Sequence, residues 1–198
     1  VIHTAACSQL GRMLNRILQK EGIEIINIVR RQEQMDILKN EEKAKYVLNS
    51  EDPNFEEELT KLAKELDTKH CFEAIGGPIV GKILKCMPAG STIEVYGGLS
   101  GKQIGDIEIK DVVFHGKVVR GFILNDWLKG KSIFSLIPLF SKIKTMVRQD
   151  LKSKVSHEFP LEKFEEGLQY YLKNMTKGKV LIKPWLEMKD YFEPGQEK

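Results

Sequence analysis

Apolar residues recur along this chain with two alternating periods. Val1-Ile2-His3-Thr4-Ala5 forms a short extended run, and Leu10, Met13, Leu14, Ile17 and Leu18 then fall at helical spacing up to Gly22, a residue suited to ending a helix. Residues 23–29 are almost continuously apolar and β-branched, the pattern of a strand covered on both faces in the middle of a parallel sheet. A helix is expected over 34–40 and a third strand at Tyr46-Val47-Leu48. Pro53 and Glu56-Glu57-Glu58 mark the start of a helix running to about Leu66, because carboxylates suit the positive end of a helix dipole.

The same rhythm continues. Residues 70–75 read as strand four, closed by Gly76-Gly77-Pro78; 79–86 as a helix; 91–96 as strand five, closed by Gly97-Gly98; and 117–124 as strand six. These elements predict an α/β fold: a Rossmann, doubly wound, six-stranded parallel sheet with right-handed helical crossovers. Beyond it, 126–150 reads as helical and 155–159 as a short strand. Pro160 opens a helix carrying Leu161, Phe164, Leu168, Tyr171 and Leu172 on one face. Residues 179–183 form a last strand before Pro184, and 193–198 are expected to be disordered. The domain reading is 1–150 as a dinucleotide-binding domain, 151–184 as a returning segment and 185–198 as a tail. Val1 opens the chain directly in a strand, so a fragment of a larger protein is expected.

Composition narrows the class without choosing within it. With 198 residues, 41% hydrophobic and 30% charged, the chain is an ordinary globular sequence. Its net charge of +3 is spread as mixed Lys and Glu, which argues against a nucleic-acid partner. The longest apolar stretch, near 133–140, is too short to span a bilayer, and no secretory signal is visible. Cys7, Cys71 and Cys86 lack C-x-x-C or Cys-His spacing, so they are expected to be buried free thiols in a reducing compartment, with no metal site.

The candidate chemistry lies in the turns after the strands. Ala6-Cys7-Ser8-Gln9-Leu10-Gly11 matches the dinucleotide fingerprint G-x-G-x-x-G only at its third glycine, where a side chain would hold the helix off the sheet. Ala6 is small enough for a tight turn, and the Ser8 hydroxyl can hydrogen-bond a phosphate oxygen beside the backbone N–H groups. Arg30 follows about 20 residues beyond this turn, where a carboxylate would accept from a free ribose 2′-hydroxyl. A guanidinium there offers a planar fork to a 2′-phosphate, which points to NADPH. Gly76-Gly77 and Gly97-Gly98 let backbone approach a cofactor or simply form turns. Phe122-Ile123-Leu124 offers an apolar ledge or a piece of core.

Five ordered motifs carry a resemblance: Ala6 to Gly11, Asn27-Ile28-Val29-Arg30-Arg31, Val95-Tyr96-Gly97-Gly98-Leu99-Ser100-Gly101, Gly121-Phe122-Ile123-Leu124 followed by Trp127, and Gly178-Lys179-Val180-Leu181. From Val1 to about Pro184 the chain resembles the cofactor-binding half of medium-chain dehydrogenase/reductases. Within them it is most similar to the zinc-independent quinone oxidoreductase and mitochondrial 2-enoyl thioester reductase branch. The resemblance implies that Cys7, Ser8, Gln9, Leu10 and Gly11 wrap the pyrophosphate and that Arg30, Arg31 and Gln32 hold the 2′-phosphate. Tyr96, Gly97, Gly98, Leu99, Phe122, Ile123 and Leu124 would line the nicotinamide half, and Lys179 would reach back from the last strand. It also implies an N-terminal GroES-like domain that this sequence does not include, with which the catalytic residues and the substrate wall would lie.

The function expected is therefore the NADPH-binding part of a reductase acting on an activated C=C bond, in an enoyl thioester or a quinone-like acceptor. A homodimer formed through the sheet edge is expected with it, in mitochondria or cytoplasm. The alternative is a non-catalytic Rossmann module retained for dimerisation or assembly. Short-chain dehydrogenases are set aside because no Tyr in the chain has Lys four positions later. A methyltransferase would favour a carboxylate after strand two.

Overall fold

The computed structural model describes residues 1–149, 151–188, 191 and 194. Six short strands, β1 (Ile2–His3), β2 (Ile26–Val29), β3 (Tyr46–Asn49), β4 (His70–Glu73), β5 (Thr92–Val95) and β6 (Val118–Gly121), form one parallel sheet in the order β3-β2-β1-β4-β5-β6. This is the doubly wound order, and its direction reverses between β1 and β4, where such sheets open a crevice at the strands' carboxyl ends.

The sheet alternates its two faces residue by residue. Ile2, Ile26, Ile28, Leu48, Cys71 and Ile93 meet α3 (Phe55–Glu65) and α4 (Ile79–Cys86) through Phe55, Leu59, Ala63, Val80, Ile83 and Leu84, all buried. Val29 and Val47 point the other way and pack with Leu38 of α2 (Gln32–Asn40). Each such side chain taken fully from water contributes roughly 1.5–3 kcal/mol, so this one cluster supplies most of the drive to fold. The polar Asn27, in the middle of the apolar run of β2, is tied across the layer through its amide nitrogen, while its Oδ1 is buried without a partner among the described residues. Its amide donates to Asn15 Oδ1 of α1 (Gln9–Lys20) at 3.0 Å and to the Tyr46 carbonyl at 3.3 Å.

A buried ion network fixes α1 to the turn after α2. Arg12 Nε lies 2.5 Å from Glu42 Oε1, Arg12 Nη2 lies 2.5 Å from Glu41 Oε2, and Arg16 Nε lies 2.6 Å from Glu42 Oε2. Burial pushes the Glu42 carboxyl up, but the hydrogen bonds from Arg16 and Arg12 and their charges outweigh it, leaving the group below the usual carboxylate range. Cys7, Cys71 and Cys86 are free and buried, as expected.

Several boundaries differ from expectation. The first strand is only Ile2–His3, because Ala5 turns into the left-handed region at φ 50°. The second begins at Ile26, since the preceding residues 21–24 are exposed. Strand six stops at Gly121: the Phe122 N–H makes a last bond to the Val95 carbonyl at 2.8 Å, and Leu124 already opens α6 (Leu124–Lys129). The single helical region expected over 126–150 is two helices, broken at Gly130 before α7 (Ile133–Gln149); Asp150 lies outside the described residues. A short helix, α5 (Ile109–Val113), occupies a stretch for which no element was expected.

Pro160 ends a strand rather than opening a helix. It closes β7 (Val155–Pro160), and a 3-10 turn at Leu161–Lys163 leads into α8 (Phe164–Lys173). β7 pairs with β8 (Lys179–Lys183) in a separate two-stranded parallel sheet, against which Gly167 of α8 packs so closely that a Cβ would sit 3.0 Å from the Phe159 ring. Leu161, Phe164, Leu168 and Leu172 are exposed, so the apolar face expected there lies uncovered. Apart from Pro194, the expected disordered tail at 193–198 lies outside the described residues.

Glu42→Gln leaves Arg12 and Arg16 without their shared buried partner. The expected loss is about 3–5 kcal/mol of unfolding free energy at pH 7 in urea titration. Because the Glu42 carboxyl titrates below its unfolded value, the wild-type advantage is complete above about pH 4.5 and disappears as the pH falls through the folded value.

Candidate dinucleotide site

The turn between β1 and α1 forms one wall of the crevice. Ser8 N–H bonds the Ala5 carbonyl at 2.9 Å, and Ser8 caps the helix by accepting the Gly11 N–H on its Oγ at 3.1 Å. The sequence reading gave that hydroxyl to a phosphate; the cap uses its oxygen and leaves its proton free to donate. The N–H groups of Gln9 and Leu10 have no partner among the described residues, as first-turn donors do not. Gly11 is required by space: a Cβ there would lie 2.7 Å from the Ala5 carbonyl oxygen and closer still to that of Ala6. The left-handed residue of the turn is Ala5, one position before the small residue that the fingerprint pointed to.

The end of β2 supplies the basic wall. Arg30 and Arg31 are exposed, and neither guanidinium has an ion pair or hydrogen bond among the described residues. The Arg30 N–H is held by Gln34 Oε1 at 3.2 Å, and Arg31 occupies the N-cap of α2 with no side-chain cap bond. Burial pushes the Cys7 thiol up, and the nearby charges, Arg12 and Arg31 against Glu41 and Glu42, leave it raised. Gln32 is exposed and donates to Asp36 Oδ1 at 2.8 Å.

On the far side of the reversal, β4 and β5 end in a polar cluster that the sequence reading did not single out. Glu73 is fully buried; its Oε1 accepts from Thr4 Oγ1 at 3.0 Å and from the Ile75 N–H at 2.7 Å, and its Oε2 accepts from the Gly76 N–H at 2.8 Å. Thr4 Oγ1 in turn accepts the Ala74 N–H at 2.9 Å. His3 Nε2 lies 2.7 Å from Tyr96 Oη. Burial pulls the His3 pKa down to about 4; burial, with the charges of Glu73 and Cys71, pushes Tyr96 up to about 12. Polar residues at the ends of apolar strands were the available signal.

The paired glycines divide their duties. Gly76 and Gly77 adopt φ 70° and 76°, making the tight turn after β4. A Cβ on Gly97 would lie 2.8 Å from the Ala74 carbonyl oxygen, so Gly97 lets β5 close on β4, whereas Gly98 has nothing within 4 Å and faces open space. Leu99 is 74% exposed, Ile123 63% and Leu124 57%, with Phe122 less so; these residues form an uncovered ledge rather than core. Lys179 opens β8, in the separate two-stranded sheet. Its N–H bonds the Lys154 carbonyl at 2.7 Å, and its exposed ammonium has no partner among the described residues.

This order of strands defines a Rossmann-like α/β domain. The zinc-binding dehydrogenase family model matches residues 10–142, and the chain belongs to that family, as the cofactor-binding half of a medium-chain dehydrogenase/reductase. It is 25% identical over 169 residues to a mitochondrial enoyl-[acyl-carrier-protein] reductase of Arabidopsis thaliana, covering 84% of this chain and 44% of the relative. The Xenopus tropicalis protein of the same name is 26% identical over 179 residues, covering 85% and 50%. A provisionally assigned NADPH:quinone reductase structure from Mesorhizobium loti superposes with a TM-score of 0.83 at 28% identity, covering 92% of this chain and 52% of that one. The chain thus spans half or less of the length of the curated relatives it matches.

Although the family description names zinc, no three His, Cys, Asp or Glu side chains stand close enough to hold a metal among the described residues. The residues present do not fit a zinc site, and no step is assigned to zinc. The turn at Gly11 and the unpaired Arg30 and Arg31 do fit a phosphorylated dinucleotide.

Gly11→Ala is expected to cost about 1–3 kcal/mol of stability and to remove nucleotide binding, because its Cβ meets backbone rather than a movable side chain. Gly98→Ala, which meets nothing, is expected to stay within about 0.5 kcal/mol of wild type when both variants are compared by thermal denaturation.

Proposed function

We propose that this chain is the NADPH-binding part of a reductase that transfers hydride to an activated C=C bond, in a 2-enoyl thioester or a quinone-like acceptor. One observation carries the reading: two uncommitted guanidinia, Arg30 and Arg31, stand at the end of β2 beside a helix N-terminus whose first N–H groups are open. The relatives support it, being enoyl-[acyl-carrier-protein] reductases and an NADPH:quinone reductase by name.

In this reading the bound cofactor supplies the hydride, and the protein supplies position and charge. The N–H groups of Cys7, Gln9 and Leu10 and the Ser8 hydroxyl would hold the pyrophosphate where Gly11 lets the helix approach. Arg30, Arg31 and Gln32 would hold the 2′-phosphate; Tyr96, Gly97, Gly98, Leu99, Phe122, Ile123 and Leu124 would line the nicotinamide half. Lys179 rests on resemblance alone. The division into a binding domain at 1–150, a returning segment at 151–184 and a tail at 185–198 belongs to the same proposal.

Uncovered apolar side chains support a larger assembly. Phe114 after α5 and Ile133, Phe134 and Ile137 on α7 are exposed, as is one face of α8, and β6 is one of the two edges of the sheet. Pairing of β6 with its copy across a two-fold axis would make a homodimer, and a second domain would cover what remains. No helix among the described residues is long and apolar enough to cross a membrane. Both curated relatives are mitochondrial by name, which favours that compartment over the cytoplasm. A purely non-catalytic module is not favoured, since the named relatives are reductases.

Isothermal titration of the chain with NADPH and NADH tests the assignment. NADPH is expected to bind at least tenfold more tightly, and the double variant Arg30→Ala, Arg31→Ala to lose about ten- to hundredfold in NADPH affinity while NADH binding hardly changes. No NADPH binding, or tighter NADH binding, contradicts the reading.

A further inference from the structure

The cluster at the ends of β1, β4 and β5 leaves one hydrogen bond unmade, and that deficit orients a hydroxyl. His3 is fully buried, with Nε2 at 2.7 Å from Tyr96 Oη and Nδ1 without a partner among the described residues. Burial keeps the ring neutral at physiological pH, so one nitrogen carries a proton and the other a lone pair. A proton on Nδ1 would orphan a buried N–H donor, whereas a proton on Nε2 orphans only an acceptor. Buried N–H groups without partners are the rarer of the two, because a donor stripped of water forfeits its full solvation. The proton therefore belongs on Nε2, where it is donated to Tyr96 Oη.

That assignment leaves the phenol its own proton. Tyr96 is un-ionised at neutral pH and only half-buried. The Glu73 carboxylate beneath it is already engaged by Thr4, Ile75 and Gly76. Tyr96 also follows β5 at the carboxyl edge, two strands from β1 across the reversal of strand order. We infer that His3 is a positioning residue: its Nε2–H holds Tyr96 Oη as an acceptor, so that the phenol donates its proton to a ribose or carboxamide oxygen of the nicotinamide half of a bound dinucleotide. The inference rests on the dinucleotide reading above and names a residue that sets how that half is held.

Two ligands separate this role from a merely structural one: NADPH, and adenosine 2′,5′-bisphosphate, which lacks the nicotinamide ribose and ring. In calorimetric titrations of the full chain, Tyr96→Phe and His3→Leu are each expected to weaken NADPH about five- to tenfold while leaving the bisphosphate within about twofold. His3→Gln keeps a donor near the Nε2 position and is expected to restore NADPH affinity to within about twofold; adding His3→Leu to Tyr96→Phe is expected to cost nothing further. Equal weakening of both ligands, or unchanged NADPH binding by Tyr96→Phe, overturns the inference. Nitrogen NMR of the wild-type imidazole provides a readout independent of how the variants fold, with the Nε2–H tautomer expected and the Nδ1–H tautomer overturning it. A wild-type chain that binds neither ligand overturns the dinucleotide reading and this inference with it, whereas one that binds both but ignores Tyr96→Phe overturns the inference alone.

Discussion

The organisation of the carboxyl edge depends on β1 being shared. Ile2 and His3 pair with Ile26 and Asn27 of β2 on one side and with Cys71 and Phe72 of β4 on the other, and flanking bonds from Thr4 N–H to the Phe72 carbonyl and from Ala6 N–H to the Ile28 carbonyl hold the turn at Ala5 to both neighbours. Leaving β1, the chain turns into α1 toward the β2 side, while β4 continues on the other. Such a reversal of strand order opens a crevice beyond the strand ends, and the groups beside it come from both halves: the turn at Ser8 and Gly11, the arginines after β2, and the Thr4–Glu73 and His3–Tyr96 contacts that tie β1 to β4 and β5. The crevice is thus a consequence of topology, and its chemistry a consequence of which residues end each strand.

Charge is partitioned along this wall in a way that separates structure from function. Arg12 and Arg16 are committed to Glu41 and Glu42, a network that is costly to bury and costly to break. Arg30 and Arg31, close by in the fold, are exposed and uncommitted among the described residues. A neutralised pair therefore holds α1 to α2, and an unneutralised pair stands at the mouth of the crevice, where an anion can complete it. Glu73 follows the first pattern without a cation: its charge is met by one hydroxyl and two backbone N–H groups, which fix the turn through Gly76.

Most of the six-stranded sheet was legible in the sequence because its strands are apolar runs bounded by glycine or proline, and its helices carry one apolar face. The third glycine of the fingerprint was legible for the same local reason, and the space around Gly11 bears it out. What was not legible depends on contacts distant in sequence. Gly97 reads as a cofactor glycine, yet the atom that demands it is the Ala74 carbonyl on the next strand. His3 and Glu73 look like interruptions of strands until the sheet places them beside Tyr96 and Thr4. The boundary errors differ in cause: past Gly121 the apolar run Phe122-Ile123-Leu124 continues after pairing stops, Gly130 interrupts a helical stretch whose two halves look alike, and Pro160 still pairs with Lys183, one residue beyond the expected strand end. Helix α5 is short, and its apolar residues, such as Ile109 and Val113, are exposed, which leaves no core-facing stripe to read.

In the proposed function a dinucleotide lies across the β1–β4 reversal. Amide chemical-shift mapping of the nitrogen-15-labelled chain during addition of NADPH tests it most directly. The largest shifts are expected at the amides of Ser8, Gln9, Leu10 and Gly11, at Arg30 and Arg31, and at Gly98 and Leu99, with α7 and the β7–β8 pair largely unchanged. Shifts confined to α7 or to α8, with the turn after β1 silent, would contradict it.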